Sequence, residues 1–185
     1  MRILQTKSLL VLLLANALVV GGQTRRFTRD DLEFVVELPP AWRVVTRVDV
    51  YEHPEFTNRN NPLNGYLRLR KVLVARSTSA SELFQQQEKW ELKRLPGYLV
   101  CGECDGVEFN GDFPARVFAY EFVSAGRGMY GRIYYLQIDQ YTFYSLHFTV
   151  ARELLPAITG DMDSIVRSFR LKDRWMGQIC RSVCN

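Results

Sequence analysis

Four cysteines are the residues whose spacing most directly suggests chemistry. Cys101-Gly102-Glu103-Cys104 has the two-residue gap that lets both sulfurs turn toward one point, the spacing of a zinc pair or a thioredoxin-like redox pair. Cys180 and Cys184 make up an even set of four. A redox pair normally opens a helix after a strand, where the helix N-terminus lowers the thiol pKa. Here Asp105-Gly106 follows, and then the alternating Val107–Phe109, so the cysteine pair reads as a turn between strands. In an oxidising compartment, disulfides are the first reading, with a four-cysteine metal site and a redox pair as alternatives. Three connectivities are open. A bridge from Cys101 or Cys104 to Cys180 or Cys184 closes about 80 residues, worth about 4 kcal/mol in the chain-entropy model.

Other reactive residue types are sparse. The two histidines are His53, in an Asn- and Pro-rich stretch, and His147, on an alternating segment that shares a face with Phe143, Ser145 and Thr149. A lone histidine in a sheet is more often hydrogen-bonded packing than half of a dyad, and no Gly-x-Ser-x-Gly elbow or His-Glu-x-x-His pair occurs. Asp30-Asp31 and Asp161 with Asp163 lack the dense oxygens of a calcium loop, and solvated surface is the expectation for them. Gly126-Arg127-Gly128 lacks the strand-to-helix context of a phosphate loop and reads as a hairpin connection. Arg68, Arg70 and Arg132, with His147, are the candidate ligand-facing residues, because arginines among aromatic strands offer a surface for an anionic ligand. No catalytic residue, metal ligand or cofactor is assigned.

The elements that position these residues follow from hydrophobic period. Met1 to Lys7 carries Arg2 and Lys7 with no acid, and Ser8 to Val20 is apolar for about 13 residues, short of the roughly 20 that span a membrane. Small residues Gly21 and Gly22 follow, so residues 1–22 read as a cleavable secretory signal peptide. The formal charge of +4 falls to +2 once Arg2 and Lys7 leave with it. Such balance argues against nucleic acid as a partner and leaves one exported domain, not membrane-spanning after cleavage.

Glu33–Leu38 alternates as a strand stopped by Pro39-Pro40, and Trp42–Val45 and Val48–Tyr51 read as short strands. His53–Gly65 reads as a loop. Tyr66–Ala75 is a strand whose Arg68 and Arg70 share a face. Ser79-Ala80-Ser81-Glu82 fits a capping box and opens a helix with Leu83, Phe84 and Trp90 as its apolar stripe, closed by Pro96-Gly97. Ala115–Val123, Gly131–Asp139 and Tyr141–Ala151 read as successive antiparallel strands. Arg152–Phe169 reads as a helix, with Pro156 in its first turn. The sum is an α+β domain.

Phe34-Val35-Val36-Glu37-Leu38-Pro39-Pro40-Ala41-Trp42, the late tyrosine-rich hairpin strands and the closing Ile165-Val166-Arg167-Ser168-Phe169 together resemble the PsbP-like superfamily, including its bacterial exported DcrB-like members. The resemblance covers residues 27–172 and leaves 173–185 as a cysteine-containing tail. It implies an antiparallel β-sheet covered by helices in an α/β/α sandwich. It also implies an accessory or binding protein rather than an enzyme, acting outside the cytoplasm, in the periplasm or secreted, on a protein of the envelope or of a membrane complex. The alternatives are an extracytoplasmic thiol-disulfide oxidoreductase using Cys101 and Cys104, or a structural envelope protein.

Overall fold

Period-two alternation builds most of the molecule. A computed structural model describes residues 24–28, 32–45, 53–105 and 113–172, with the backbone alone at 103–105. The signal segment 1–22, Asp30-Asp31, the expected strands Val48–Tyr51 and Val107–Phe109, and the tail with Cys180 and Cys184 lie outside the described residues. Ten strands and two α-helices are described: β1 Arg25–Phe27, β2 Phe34–Leu38, β3 Trp42–Val44, β4 Glu55–Asn58, β5 Tyr66–Leu73, α1 Ala80–Trp90, β6 Leu99–Asp105, β7 Ala115–Ser124, β8 Arg127–Gln137, β9 Thr142–Ala151, α2 Leu155–Ser168 and β10 Arg170–Leu171. Seven strands form one antiparallel sheet in the order β3-β4-β5-β9-β8-β7-β6, and β1-β2-β10 form a second, three-stranded one.

The faces of the large sheet separate by parity. Leu67, Leu69, Val117, Tyr134, Leu146 and Phe148 point to one side, where α2 and β2 cover them in the main core. Phe118, Tyr120, Ile133, Tyr135 and Phe143 point to the other, where α1 lays Leu83 and Phe84 on them. The fold is therefore α+β, with helices on both faces of an antiparallel sheet and the small sheet sharing the α2 side.

Both sequence marks of the resemblance hold α2 in place. Trp42 is 1% exposed, and its Nε1 donates to Asp161 Oδ2 at 2.8 Å, while Asn58 Nδ2 reaches the same oxygen at 3.5 Å. Gly65 makes room for that indole: a Cβ there would sit 3.2 Å from the Trp42 ring, at a φ of 146° that L side chains rarely adopt. At the other end of α2, Ser168 Oγ accepts the Glu37 N–H at 2.8 Å, tying the last helical turn to β2, and Phe169 stacks on Phe34 at 5.6 Å.

Several sequence expectations are corrected. The stretch His53–Gly65 holds β4 and a 3₁₀ turn over Pro62–Asn64. Cys101-Gly102-Glu103-Cys104 lies within β6 rather than a turn, with a bulge between Val100 and Gly102. Trp90 leaves the apolar stripe of α1 and is 59% exposed, because the helix ends there and the following turn presents the buried Leu92 instead. Asp161 and Asp163 are partly buried and also bond to the core: Asp161 holds Trp42, and Asp163, its side chain 43% exposed, accepts from the Tyr134 hydroxyl at 3.2 Å. The expected capping box is formed, with the Ser79 N–H donating to Glu82 Oε2 at 2.7 Å and Ser79 Oγ accepting from the Glu82 N–H at 3.2 Å. The Gly126 region is a two-residue hairpin turn, Ala125 and Gly126 both at positive φ, the geometry that matches strand twist.

Candidate functional site

The exposed end of α1 overhangs a cavity of about 270 Å³ whose floor is the polar part of the sheet. Register assembles it. Arg68 pairs with His147 and Arg70 with Ser145 across β5 and β9, and Ser145 pairs with Tyr135 across β9 and β8. Because paired residues share a face, these side chains form one polar patch beside Val72 and Leu83, with Trp90 at the mouth. Alternation with Leu67, Leu69, Leu146 and Phe148 is what allows so polar a floor: the same strands send their apolar residues to the α2 core.

A glycine makes the histidine's environment. Tyr120, on β7, is 1% exposed and lies flat across Gly131 of β8; a Cβ at position 131 would fall 2.2 Å from the Tyr120 ring. The phenol thereby crosses a strand and meets His147 Nε2 at 2.5 Å on β9. Tyr120 has no other hydrogen-bond partner among the described residues, so the phenol and Nε2 share one hydrogen bond, whose direction follows the imidazole tautomer. Burial, and then the charges of Arg68 and Arg70, push the His147 pKa down to about 3, so the ring is neutral at ordinary pH. A base that weak, already occupied by a phenol, does not activate Ser145.

The two arginines differ. Arg68 Nε donates to Glu55 Oε1 at 3.0 Å and to the Tyr66 hydroxyl at 3.1 Å, so its charge is matched. Arg70 makes no hydrogen bond or ion pair with the described residues, and its Nε is buried. The Ser145 hydroxyl is likewise without a protein partner among them, on a residue 6% exposed. Tyr135, by contrast, donates its hydroxyl to Gln87 of α1.

Arg132 lies elsewhere. It belongs to the opposite parity of β8, on the α2 side, where Nη1 and Nη2 donate to Tyr134 and Tyr130 at 3.1 and 3.3 Å and Asp163 lies 3.7 Å away. Burial works against its charge, yet those phenol oxygens raise its pKa above the ordinary value. The structure thus brings Arg68, Arg70 and His147 together and separates Arg132 from them. Gln86 and Gln87 join the site without having been singled out in the sequence, and Trp90 joins it from the expected apolar stripe; their signal was a glutamine run three residues before a tryptophan on one helix.

Cys101 is a free, exposed thiol, and its Sγ contacts the Leu99 carbonyl oxygen at 3.7 Å. Burial of the thiol and the nearby Glu121 raise its pKa, the reverse of an activated nucleophile. An extended strand advances about 10 Å over three residues, beyond the roughly 7 Å Cα separation that a disulfide spans. The Cys101 thiol lies in β6 and lacks the helix N-terminus that lowers the pKa of a redox cysteine. Among the described residues no cluster of three or more His, Cys, Asp or Glu side chains could hold a metal, and no helix is long and apolar enough to cross a membrane.

No known sequence family matches the chain, and no curated protein sequence does. Similarity emerges in three dimensions. LpqN of Mycobacterium tuberculosis, a protein involved in cell envelope biogenesis, superposes with a TM-score of 0.56 at 14% identity, covering 81% of this chain and 91% of its own. The Ran-binding protein Mog1p of Saccharomyces cerevisiae gives 0.57 at 11%, covering 80% and 95%. Cyanobacterial PsbP from Synechocystis gives 0.56 at 11%, covering 86% of this chain and 99% of its own. At such identities what is shared is the architecture, and the chain has the PsbP-like fold.

Proposed function

We propose that this chain is an exported, non-catalytic binding protein and that the cavity between α1 and the sheet is its binding site. One observation carries the reading: Arg70 places a charged guanidinium, with a buried Nε that has no protein partner, in a cavity whose other cation, Arg68, is matched by Glu55. An unpaired buried polar group costs roughly 1–3 kcal/mol, more when charged, and inside a cavity a bound ligand, ion or water can supply the partner. The neutral, phenol-bound His147 and the raised Cys101 thiol support binding over catalysis. The leader-like residues 1–22, and a fold shared with an envelope-biogenesis protein and with PsbP, support an extracytoplasmic place of work, with a protein of the envelope or of a membrane complex as the wider partner.

The test is thermal unfolding of the mature chain against a panel of small acids, bases and neutral compounds. A binder raises Tm in a concentration-dependent way, and Arg70→Met abolishes the rise. A panel without any binder overturns the reading. Intact mass of the chain recovered outside the cytoplasm tests export, and a mass that retains residues 1–22 overturns that part.

A further inference from the structure

The donors of the cavity, its charge and its walls narrow the ligand. Resting on the binding-site reading above, we infer that the cavity takes a small monocarboxylic acid with a flat apolar body, its carboxylate on Arg70 and Ser145 and its body against Trp90.

Two groups with hydrogens to donate lack a protein acceptor among the described residues, the Arg70 guanidinium and the Ser145 hydroxyl, and His147 lines the cavity beside them. A site with donors in excess calls for an acceptor-only group. The planar guanidinium fork matches the two coplanar oxygens of a carboxylate.

Charge sets the valence. Of the two cations among the described lining residues, Arg68 is matched by Glu55 at 3.0 Å, which leaves the charge of Arg70. Glu91 at the rim, accepting from Gln87 Nε2 at 3.3 Å, adds a negative charge that opposes a second one on the ligand. With Lys89 Nζ 4.8 Å from the Trp90 ring centroid at the mouth offsetting Glu91, the unmatched charge of Arg70 suits a monoanion rather than a phosphate dianion.

The walls set the body. Val72 and Leu83 line the cavity, and Trp90, 59% exposed, stands at the mouth with an indole that has no buried role. Lys89 Nζ lies 4.8 Å from the centroid of that ring. A volume of about 270 Å³ is at the small end of ligand cavities, in scale with a compact acid such as phenylacetate.

A free acid and the side chain of a glutamate offer the same head group, so the experiment carries both. Isothermal titration of the mature chain compares phenylacetate, its methyl ester, inorganic phosphate and a blocked peptide whose only carboxylate is a glutamate side chain. Phenylacetate is expected to bind one to one, with the ester, phosphate and peptide each at least about tenfold weaker. Arg70→Met is expected to weaken phenylacetate about 10- to 100-fold, as for a charge-assisted pair, and Arg70→Lys by less, since it keeps the charge without the fork. Trp90→Ala, at an exposed site, is expected to weaken phenylacetate about threefold or more and leave acetate unchanged.

Equal affinity for the ester, tighter binding of phosphate or of the peptide, or undiminished binding by Arg70→Met overturns the inference. A neutral or phosphorylated binder that is lost in Arg70→Met overturns the carboxylate preference alone and leaves the cavity as the binding site. The absence of any binder overturns both.

Discussion

Arg132 and Arg70 sit on the two faces of one sheet and have opposite surroundings. On the α2 face the buried charge is fully engaged: two phenol oxygens and Asp163 surround Arg132, and Trp42 donates to Asp161. The cavity beside β2 follows the same rule, with Lys71 Nζ 2.6 Å from a Glu33 carboxylate oxygen that also accepts from the Tyr144 hydroxyl at 2.7 Å. On the α1 face, Arg70 and Ser145 have no protein partner among the described residues, and Trp90 stands in solvent. A polar residue with all its bonds made is there for the fold. One held in place with bonds left over is available to something else.

The two tryptophans give the largest test of that contrast. Trp42→Ala removes a side chain 1% exposed, opens a cavity in the main core and strips Asp161 of its charge-assisted partner. The expected loss is about 3–5 kcal/mol in urea denaturation, with the midpoint shifting and the slope retained. Trp90→Ala should fall within about 0.5 kcal/mol of the parent, as for an exposed substitution. Comparable losses would mean that α1 depends on its tryptophan as α2 does on Trp42, and the division between the faces would fail.

How far these roles could be read in the sequence depends on what fixes them. β5, β7, β8 and β9 were legible because long alternation survives in the chain, and so were the Ser79 capping box and the shared face of Arg68 and Arg70. β1 and β10, three and two residues long, carry too little period to register. β4 was hidden among Asn and Pro, and β6 under a cysteine spacing that suggested a turn. Separating Arg132 from His147 needs register: the residue across from Arg132 on β9 is Phe148, one position along, which puts the two side chains on opposite faces. Gly131 had a signal that went unused, since a glycine inside an aromatic strand marks a close approach, but only the fold reveals that Tyr120 makes it.

His147 extends the contrast to pH. Its folded pKa, about 3, lies below the ordinary 6.5, so between those values the unfolded chain binds a proton that the native state does not. Stability from this group is therefore intact above about pH 6.5 and is lost as pH falls toward 3, with a slope of at most about 1.4 kcal/mol per pH unit. The ring keeps some contact with the cavity, so a loss of about 1–2 kcal/mol between pH 7 and 5 is expected. The measurement is the difference in unfolding free energy between the parent and His147→Gln at each pH, which cancels the carboxylates common to both. A difference that does not change with pH would place the imidazole in water rather than beneath Arg68 and Arg70.

The smallest effect decides the most. Arg132→Met removes the bonds to Tyr134 and Tyr130 and leaves Asp163 without the cation 3.7 Å away, an expected cost of about 1–2 kcal/mol. Arg70→Met removes a guanidinium that bonds to nothing among the described residues and replaces it with an apolar chain beside Val72 and Leu83. Its expected effect without ligand is within about 0.5 kcal/mol, or slightly stabilising, because a buried Nε without a partner is gone and the Coulomb pressure on His147 is relieved. Paired denaturation curves of the two variants read this directly. If Arg70→Met costs as much as Arg132→Met, Arg70 serves the fold, and the α1 cavity loses its best reason to be a binding site. If it costs nothing while abolishing ligand-induced stabilisation, the fold is keeping an arginine for which it has no structural use, as expected of a residue held for a ligand.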